Sequence, residues 1–216
     1  MTAPTVPSTV LAGLALALRS EPGRPLVTMY DDATGERVEL SVATFDNWVC
    51  KLANLFGDDW GLESGERISI AMPVHWRSMA TTMAAWTCGL VVTLGPGRTE
   101  MVSLTDWDDF STEVPAQPDA LVLPRVVTGS DDALIGDAGT STHADLVARG
   151  LATAERIGLG AAGRLLTDAD PASDAGIDAA LLAPFATGSS VVLLLHASRE
   201  RRERVATQER VTCAWP

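Results

Sequence analysis

The chain has 216 residues, of which 46% are hydrophobic and 20% are charged, a composition that suits a folded α/β protein and excludes disorder over most of the length. The 28 acidic residues outnumber the 16 basic ones, and the formal charge of −12 argues against binding to nucleic acid or to an anionic membrane surface. The three cysteines are odd in number and contain no Cys-x-x-Cys pair, which favours a reducing cytoplasm over a disulfide framework.

The first 60 residues predict a helix, a hairpin and a second helix. The apolar run from Val10 to Leu18 is too short to cross a bilayer and follows no basic residue, so we expect a helix and not a signal peptide. Two stretches, Leu26 to Tyr30 and Arg37 to Leu40, flank a turn-rich loop and predict a hairpin. Ser41 is expected to cap a longer amphipathic helix.

The central part of the chain predicts a β-α-β unit. Two short apolar runs, Ile68 to Met72 and Leu90 to Leu94, are bounded by Gly and Pro and separated by a segment of helical length. Within that segment Met79, Met83 and Trp86 recur at three- and four-residue spacing, so that one face can lie on a sheet. Because a crossover helix joins parallel strands, this unit predicts a parallel sheet.

The following 60 residues carry weaker signals. Residues 99–119 predict an irregular connection, after which the apolar run Ala120 to Leu123 predicts a strand. Residues 127–141 are interpreted as a loop rich in Gly and Asp. Thr142 and Asp145 have the spacing of a capping box, which predicts a helix that ends at Gly158.

The last 50 residues alternate between strand and helix patterns. Leu165-Leu166 and Val191 to Leu195 predict strands, a helix ends at Gly188, and Ser198 caps a charged helix to Arg210. This alternation predicts a layered αβα fold with a mostly parallel sheet. The domain organisation is either one unit, 1–216, or two lobes, 1–110 and 119–216, joined by the irregular connection.

Several short motifs, which follow one another in the same order as in the family, resemble the N-terminal part of the adenylate-forming superfamily, which includes acyl-CoA synthetases. Six stretches are similar to motifs of the family. They are the start of a helix at 40–45, Gly65-Glu66-Arg67-Ile68-Ser69-Ile70, Ala84-Ala85-Trp86-Thr87-Cys88-Gly89, Thr142-His143-Ala144-Asp145-Leu146, and the stretches 182–188 and 209–212. The resemblance runs from about residue 8 to 212. It implies the family's α/β fold and, by default, an AMP-dependent synthetase or ligase activity.

The resemblance fails where the family binds triphosphate. The family has a Ser/Thr/Gly-rich loop with a lysine just before the motif that begins with Thr-His, because backbone N–H groups and a cation must neutralise pyrophosphate. Counting back from His143 places Asp137 at the lysine position, and Asp131 and Asp132 at the positions of hydroxyl residues. The chain ends at Pro216, before the family's adenine strand, ribose-binding acid and catalytic lysine, and Lys51 matches neither of the family's functional lysines. Adenylation by this chain alone is therefore not expected.

The candidate ligand site is this degenerate phosphate-loop region, and no catalytic residue, cofactor or metal is assigned. Its residues are Ser130, Gly136, Gly139, Thr140, Thr142 and His143. The histidines are scattered without ligand spacing, and Asp168, Asp170 and Asp174 lack the glycine and glutamate of a calcium loop, so a solvated acidic loop is the preferred interpretation.

Two functional hypotheses follow. The first is a non-catalytic remnant of an adenylate-forming N-terminal domain that binds a protein partner or forms a homo-oligomer. The second is an acyl-CoA- or AMP-type small-molecule-binding protein, or a ligase-like enzyme, with its ligand between residues 128–143 and 168–174. Neither involves nucleic acid or a membrane.

Overall fold

A computed structural model describes residues 6–94, 102–104, 127–137 and 139–215. The predicted strand at 120–123 lies outside the described residues, as does most of the predicted connection at 99–119. Within that connection, however, residues 102–104 form a strand, which the sequence reading missed because the run has only three residues. The division into lobes stays a prediction.

Ten strands and seven α-helices are found in the described ranges. The strands are β1 Pro25–Asp31, β2 Glu36–Ser41, β3 Arg67–Ile70, β4 Val91–Leu94, β5 Val102–Leu104, β6 Asp132–Gly136, β7 Gly139–Thr142, β8 Arg164–Thr167, β9 Ser190–Leu195 and β10 Cys213–Ala214. The helices are α1 Val10–Ser20, α2 Val42–Asn54, α3 Trp76–Thr87, α4 His143–Ile157, α5 Asp174–Ile177, α6 Ala183–Thr187 and α7 Arg199–Gln208, with π-helical turns at Leu55–Asp59 and Asp178–Leu182.

The strands form two five-stranded sheets, with the orders β10-β8-β9-β1-β2 and β5-β3-β4-β6-β7. In each sheet four strands are parallel and the last is the antiparallel partner of its neighbour in a hairpin, β1-β2 in one sheet and β6-β7 in the other. Both sheets take strands from before and after residue 115. The α/β fold with a mostly parallel arrangement is confirmed, although the strands form two sheets and not one.

Most of the predicted elements are confirmed, and local signals explain why. Ser41 accepts a hydrogen bond from the N–H of Thr44 and caps α2. Thr142 and Asp145 form the predicted capping box of α4, which ends at Gly158 with a left-handed φ of 72°. The central β-α-β unit has the expected parallel pairing of β3 with β4.

The interpretation of residues 127–141 as a loop is wrong. They contain the β6-β7 hairpin, in which Leu134 is fully buried and pairs with Val92 of β4. The apolar part of β6 is only three residues long, Ala133 to Ile135, between Asp132 and Gly136, so its pattern was too short to predict a strand.

One hydrophobic core joins both sheets and the helices packed on them. It includes Val27 and Val191 of the first sheet, Ile68 and Val92 of the second, and Trp86 of α3. The opposite face of the first sheet is covered by α7, because Tyr30, Val192 and Leu194 there pack with Val205. Alternate residues of β1 and β9 thus face two different cores, as expected for a buried central strand.

No helix of the described residues has the length and apolar character needed to cross a bilayer.

Candidate functional site

The segment before α4 satisfies its polar groups internally. The N–H of Thr128 donates to Asp131 Oδ2 at 2.8 Å, and the Thr128 and Ser130 hydroxyl oxygens lie 2.9 Å apart. The backbone hydrogen bond from Thr128 holds the pKa of the Asp131 carboxyl below its usual range. Ser130 therefore has a hydrogen-bond partner within its own turn, and Asp131 is ionised at neutral pH.

The amino end of α4 has its first N–H groups occupied. The N–H of His143 donates to the Asp131 carbonyl at 3.0 Å and that of Ala144 to the Gly129 carbonyl at 2.9 Å. The N–H of Asp145 donates to Thr142 Oγ1 at 3.3 Å, while Asp145 Oδ2 accepts from the Thr142 N–H at 2.9 Å. Helix N-termini bind anions through N–H groups that have no partner, and these three N–H groups all have one.

The β6-β7 turn is filled by a carboxylate from a distant part of the chain. The N–H of Asp137 donates to Asp174 Oδ2 at 2.7 Å. The same carboxylate lies so close to Gly136 that a Cβ at this glycine would be 2.6 Å from Asp174 Oδ2. Gly136 pairs with Gly139, whose φ of 100° is in the region that favours glycine. The Asp174 carboxylate thus contacts the turn that the resemblance aligns with the family's phosphate-binding loop.

A single guanidinium links this carboxylate to α4. Arg149 Nη2 lies 3.2 Å from Asp174 Oδ1 and 2.8 Å from Asp178 Oδ1, with the three side chains between 19% and 26% exposed. The contact with Asp178 is an ion pair without the angles of a hydrogen bond. Burial raises the pKa of Asp178, and Arg149 opposes that shift. Arg149 is therefore already shared by two carboxylates.

His143 lies behind the turn and not in it. Its ring is fully buried, stands edge-on to Trp86 at 6.0 Å between centroids, and has no hydrogen-bond partner at either nitrogen. Burial lowers the pKa of His143, against the opposing charge of Asp131, so the ring is neutral at pH 7. In this position it packs as an aromatic residue of the core.

The six predicted site residues thus occupy three different environments. Ser130 and Thr142 bond within the turn and cap before α4, Gly136 and Gly139 form the end of the hairpin, Thr140 is exposed on β7, and His143 is buried. Their role as a ligand site stays a prediction. Sequence reasoning missed the contact of Asp174 with this hairpin, because Asp174 lies 37 residues from Asp137 and no local pattern joins them.

Groups of three or more His, Cys, Asp or Glu side chains arranged to hold a metal ion were not found among the residues that the structure describes.

Comparison with solved structures identifies the fold. The chain aligns with the inhibitor-bound N-terminal domain of FACL13 from Mycobacterium tuberculosis with a TM-score of 0.75 and 12% identity, covering 94% of this chain and 61% of that one. A fatty acyl CoA synthetase of M. tuberculosis matches with a TM-score of 0.77 and 13% identity, over 94% of this chain and 48% of that one. The chain has the fold of the N-terminal part of adenylate-forming enzymes. The resemblance predicted from the sequence is confirmed at the level of the fold.

A third structure carries ligands of adenylate chemistry. The fatty acyl-adenylate ligase of Legionella pneumophila, in complex with acyl adenylate and pyrophosphate, matches with a TM-score of 0.76 and 10% identity, over 95% of this chain and 43% of that one. At this identity the likeness describes the fold alone, and those ligands belong to that protein.

A curated relative from M. tuberculosis shares more sequence. It is described as a "TIGR03089 family protein" and is 37% identical over 127 residues, which are 58% of this chain and 49% of the relative. The chain thus matches about half the length of this relative. No family model matches the chain.

Proposed function

We propose that this protein is a non-catalytic member of the adenylate-forming fold that acts by binding a protein partner or by forming a homo-oligomer, without nucleotide chemistry. The observation that supports the absence of nucleotide chemistry is the carboxylate of Asp174, which lies against Gly136 and accepts the N–H of Asp137. In the region that the sequence resemblance aligns with the family's phosphate loop, the chain thus has a carboxylate of its own.

The charges of this region oppose a polyphosphate. Asp131, Asp137 and Asp174 surround the hairpin and the turn before it, and Arg149 is already shared by Asp174 and Asp178. Two like unit charges 4 Å apart repel each other by about 1 kcal/mol in water and about 4 kcal/mol at the effective dielectric of a protein surface. A triphosphate would meet this repulsion without a cation left to offset it among the contacts described above.

The backbone of this region gives no compensation. An anion at a helix N-terminus needs N–H groups that are not engaged elsewhere. The first three N–H groups of α4 donate to Asp131, Gly129 and Thr142. Phosphate binding would require these hydrogen bonds to break.

A panel of MgATP, AMP and CoA in thermal unfolding tests the proposal. A ligand that binds the folded state at 100 times its Kd stabilises it by about 2.7 kcal/mol. For a chain of this size that corresponds to a rise in Tm of roughly 5–10 °C. We expect no rise with any of the three at millimolar concentration and no acyl-dependent exchange of pyrophosphate into ATP. A saturable rise with MgATP, or exchange above a protein-free control, would overturn the proposal.

A second candidate is a small-molecule-binding protein or enzyme of the acyl-CoA and AMP type. The observation in its favour is that the two stretches expected to border such a ligand do meet, since Asp137 contacts Asp174. A rise in Tm with AMP or CoA alone would support binding without adenylation, and pyrophosphate exchange would support the enzyme.

Light scattering of the purified protein separates the two kinds of association in the main proposal. A mass of two or more chains supports a homo-oligomer, and a mass of one chain leaves a different protein as the partner. We place this activity in the cytoplasm, a proposal supported by the three cysteines, none of which forms a disulfide with another.

A further inference from the structure

An apolar pocket of about 380 Å³ lies between α1, α4, α6 and the turn after α4. Its volume falls within the range of roughly 300–1,000 Å³ that small-molecule sites occupy. It is on a different part of the molecule from the β6-β7 hairpin. The lining residues are Val6, Pro7, Gly13, Leu16, Ala17, Ser20, Glu21, Arg24, Leu151, Ala161, Ala162, Phe185, Ala186, Thr187 and Gly188.

The walls of this pocket are held in place by close helix packing. A Cβ at Gly13 would overlap the carbonyl oxygen of Phe185, so only glycine lets α1 approach α6 this closely. A Cβ at Gly150 would lie 2.5 Å from the carbonyl oxygen of Leu182, which shows that α4 is packed equally tightly. Tight packing fixes the pocket before any ligand arrives, and a preformed site saves the free energy of ordering it.

The two hydroxyl groups that line the pocket already have partners. Thr187 Oγ1 donates to the carbonyl of Ala183 at 2.8 Å, and Ser20 Oγ donates to the carbonyl of Ala17 at 3.2 Å. The charge of Arg24 is compensated by Glu21, with 3.5 Å between Nε and Oε2. An occupant therefore meets an apolar surface whose charges cancel, and a charged occupant would lose hydration without gaining a free counter-charge.

The mouth of the pocket exposes hydrophobic side chains. Val6 is 59% exposed and Leu16 is 49% exposed, and both belong to the lining. The pocket is nevertheless lined by only 15 residues, whereas one side of a stable protein interface takes about 20–30. The size of the pocket therefore selects a small molecule and not a protein face.

We propose that this pocket is a binding site for an uncharged, largely apolar small molecule. The pocket does not include the acidic hairpin. This proposal can therefore fail without affecting the proposed absence of nucleotide binding, and the reverse also holds.

A matched pair of fluorescent probes tests the site. N-phenyl-1-naphthylamine is apolar and uncharged, and 1-anilinonaphthalene-8-sulfonate has the same rings with one negative charge. We expect saturable binding of the uncharged probe with one site per chain, and binding of the sulfonate at least tenfold weaker. No saturable binding of the uncharged probe would overturn the proposal, and equal or tighter binding of the sulfonate would contradict the uncharged class.

Substitutions locate the binding. Ala17→Leu fills the α1 wall of the pocket, and Ala161→Leu places bulk on the opposite, exposed turn, where it adds little strain to folding. Ala15→Leu makes the same change on α1 outside the lining and serves as the control. We expect both pocket variants to weaken the uncharged probe at least tenfold and Ala15→Leu to change it less than twofold. If Ala17→Leu fails to fold, Ala161→Leu decides alone, and wild-type affinity in the folded pocket variants would overturn the assignment.

Discussion

At two glycines of this molecule an added Cβ would overlap a neighbouring oxygen atom, and the two neighbours differ in kind. Gly136 lies against the carboxylate of Asp174, while Gly13 lies against the backbone carbonyl of Phe185. The first contact fills a turn with negative charge, and the second brings two helices together beside an apolar pocket that stays open. The region that resembles a known binding motif is thus closed by the chain's own groups, and a region without any motif is open.

The difference lies in how each contact can relax. A side-chain carboxylate can rotate away from an added methyl group, whereas a backbone carbonyl within a helix moves only with its helix. The structure therefore predicts that the contact at Gly13 is more costly to disturb than the contact at Gly136.

The largest expected effect is at Gly13. Gly13→Val should destabilise the protein by about 3 kcal/mol, because the added side chain forces α1 away from α6 and overpacked sites cost roughly 1–3 kcal/mol before the β-branched penalty in a helix. Urea unfolding measures it. Ala15→Val on the same helix is the control and should cost less than about 1 kcal/mol. Equal costs at the two positions would show that the helices do not touch at Gly13.

The next effect is at Asp174. Asp174→Ala should cost about 1–2 kcal/mol, because it removes the acceptor of the Asp137 N–H and leaves Arg149 with Asp178 alone. Asp168→Ala is the matched control, since Asp168 is 57% exposed and pairs with Arg202 on the surface. That change should cost less than about 0.5 kcal/mol. A neutral Asp174→Ala would mean that the carboxylate does not hold the hairpin.

A smaller effect is the coupling between Gly136 and Asp174. Gly136→Ala should cost about 1 kcal/mol in the wild-type background, because the new Cβ expels the carboxylate. In the Asp174→Ala background its cost should fall by most of that amount, since the carboxylate is already gone. A double-mutant cycle from urea unfolding gives the coupling. Additive costs would show that the two residues do not share one site.

The smallest effect concerns His143 on the buried side of the same hairpin. Burial lowers its pKa in the folded state, so the unfolded chain binds more protons as the pH falls below about 6.5. The stability that the neutral ring contributes is complete above that pH and is lost as the pH falls through the folded pKa, at no more than about 1.4 kcal/mol per pH unit.

His143→Phe keeps a ring against Trp86 and removes this titration. The stability of the variant relative to wild type should rise as the pH is lowered from 7.5 to 5. The pKa of His75 is also lowered by burial, but His75 is present in both proteins and cancels in the comparison. Parallel pH profiles would show that His143 is protonated without cost in the folded state.

The sequence predicted those parts of the fold that local signals determine. Ser41, Thr142 and Gly158 set helix ends through groups within a few residues, and the β-α-β unit has the periodicity of its two kinds of element. The hairpin was missed because β6 has too few apolar residues.

The site was predicted only in part, for a different reason. The acids at 131, 132 and 137 were visible as departures from a motif, but the charge that fills the turn comes from Asp174, 37 residues from Asp137. The apolar pocket joins Gly13, Leu151 and Phe185 from three helices, and no spacing along the chain indicates that they meet.

A crystal structure of the protein grown with Mg²⁺ and a non-hydrolysable ATP analogue tests the central claim most directly. We predict that Asp174 still accepts the N–H of Asp137 and that no phosphate lies against residues 129–140. Phosphates seated there, with the Asp174 carboxylate displaced from Gly136, would contradict the account.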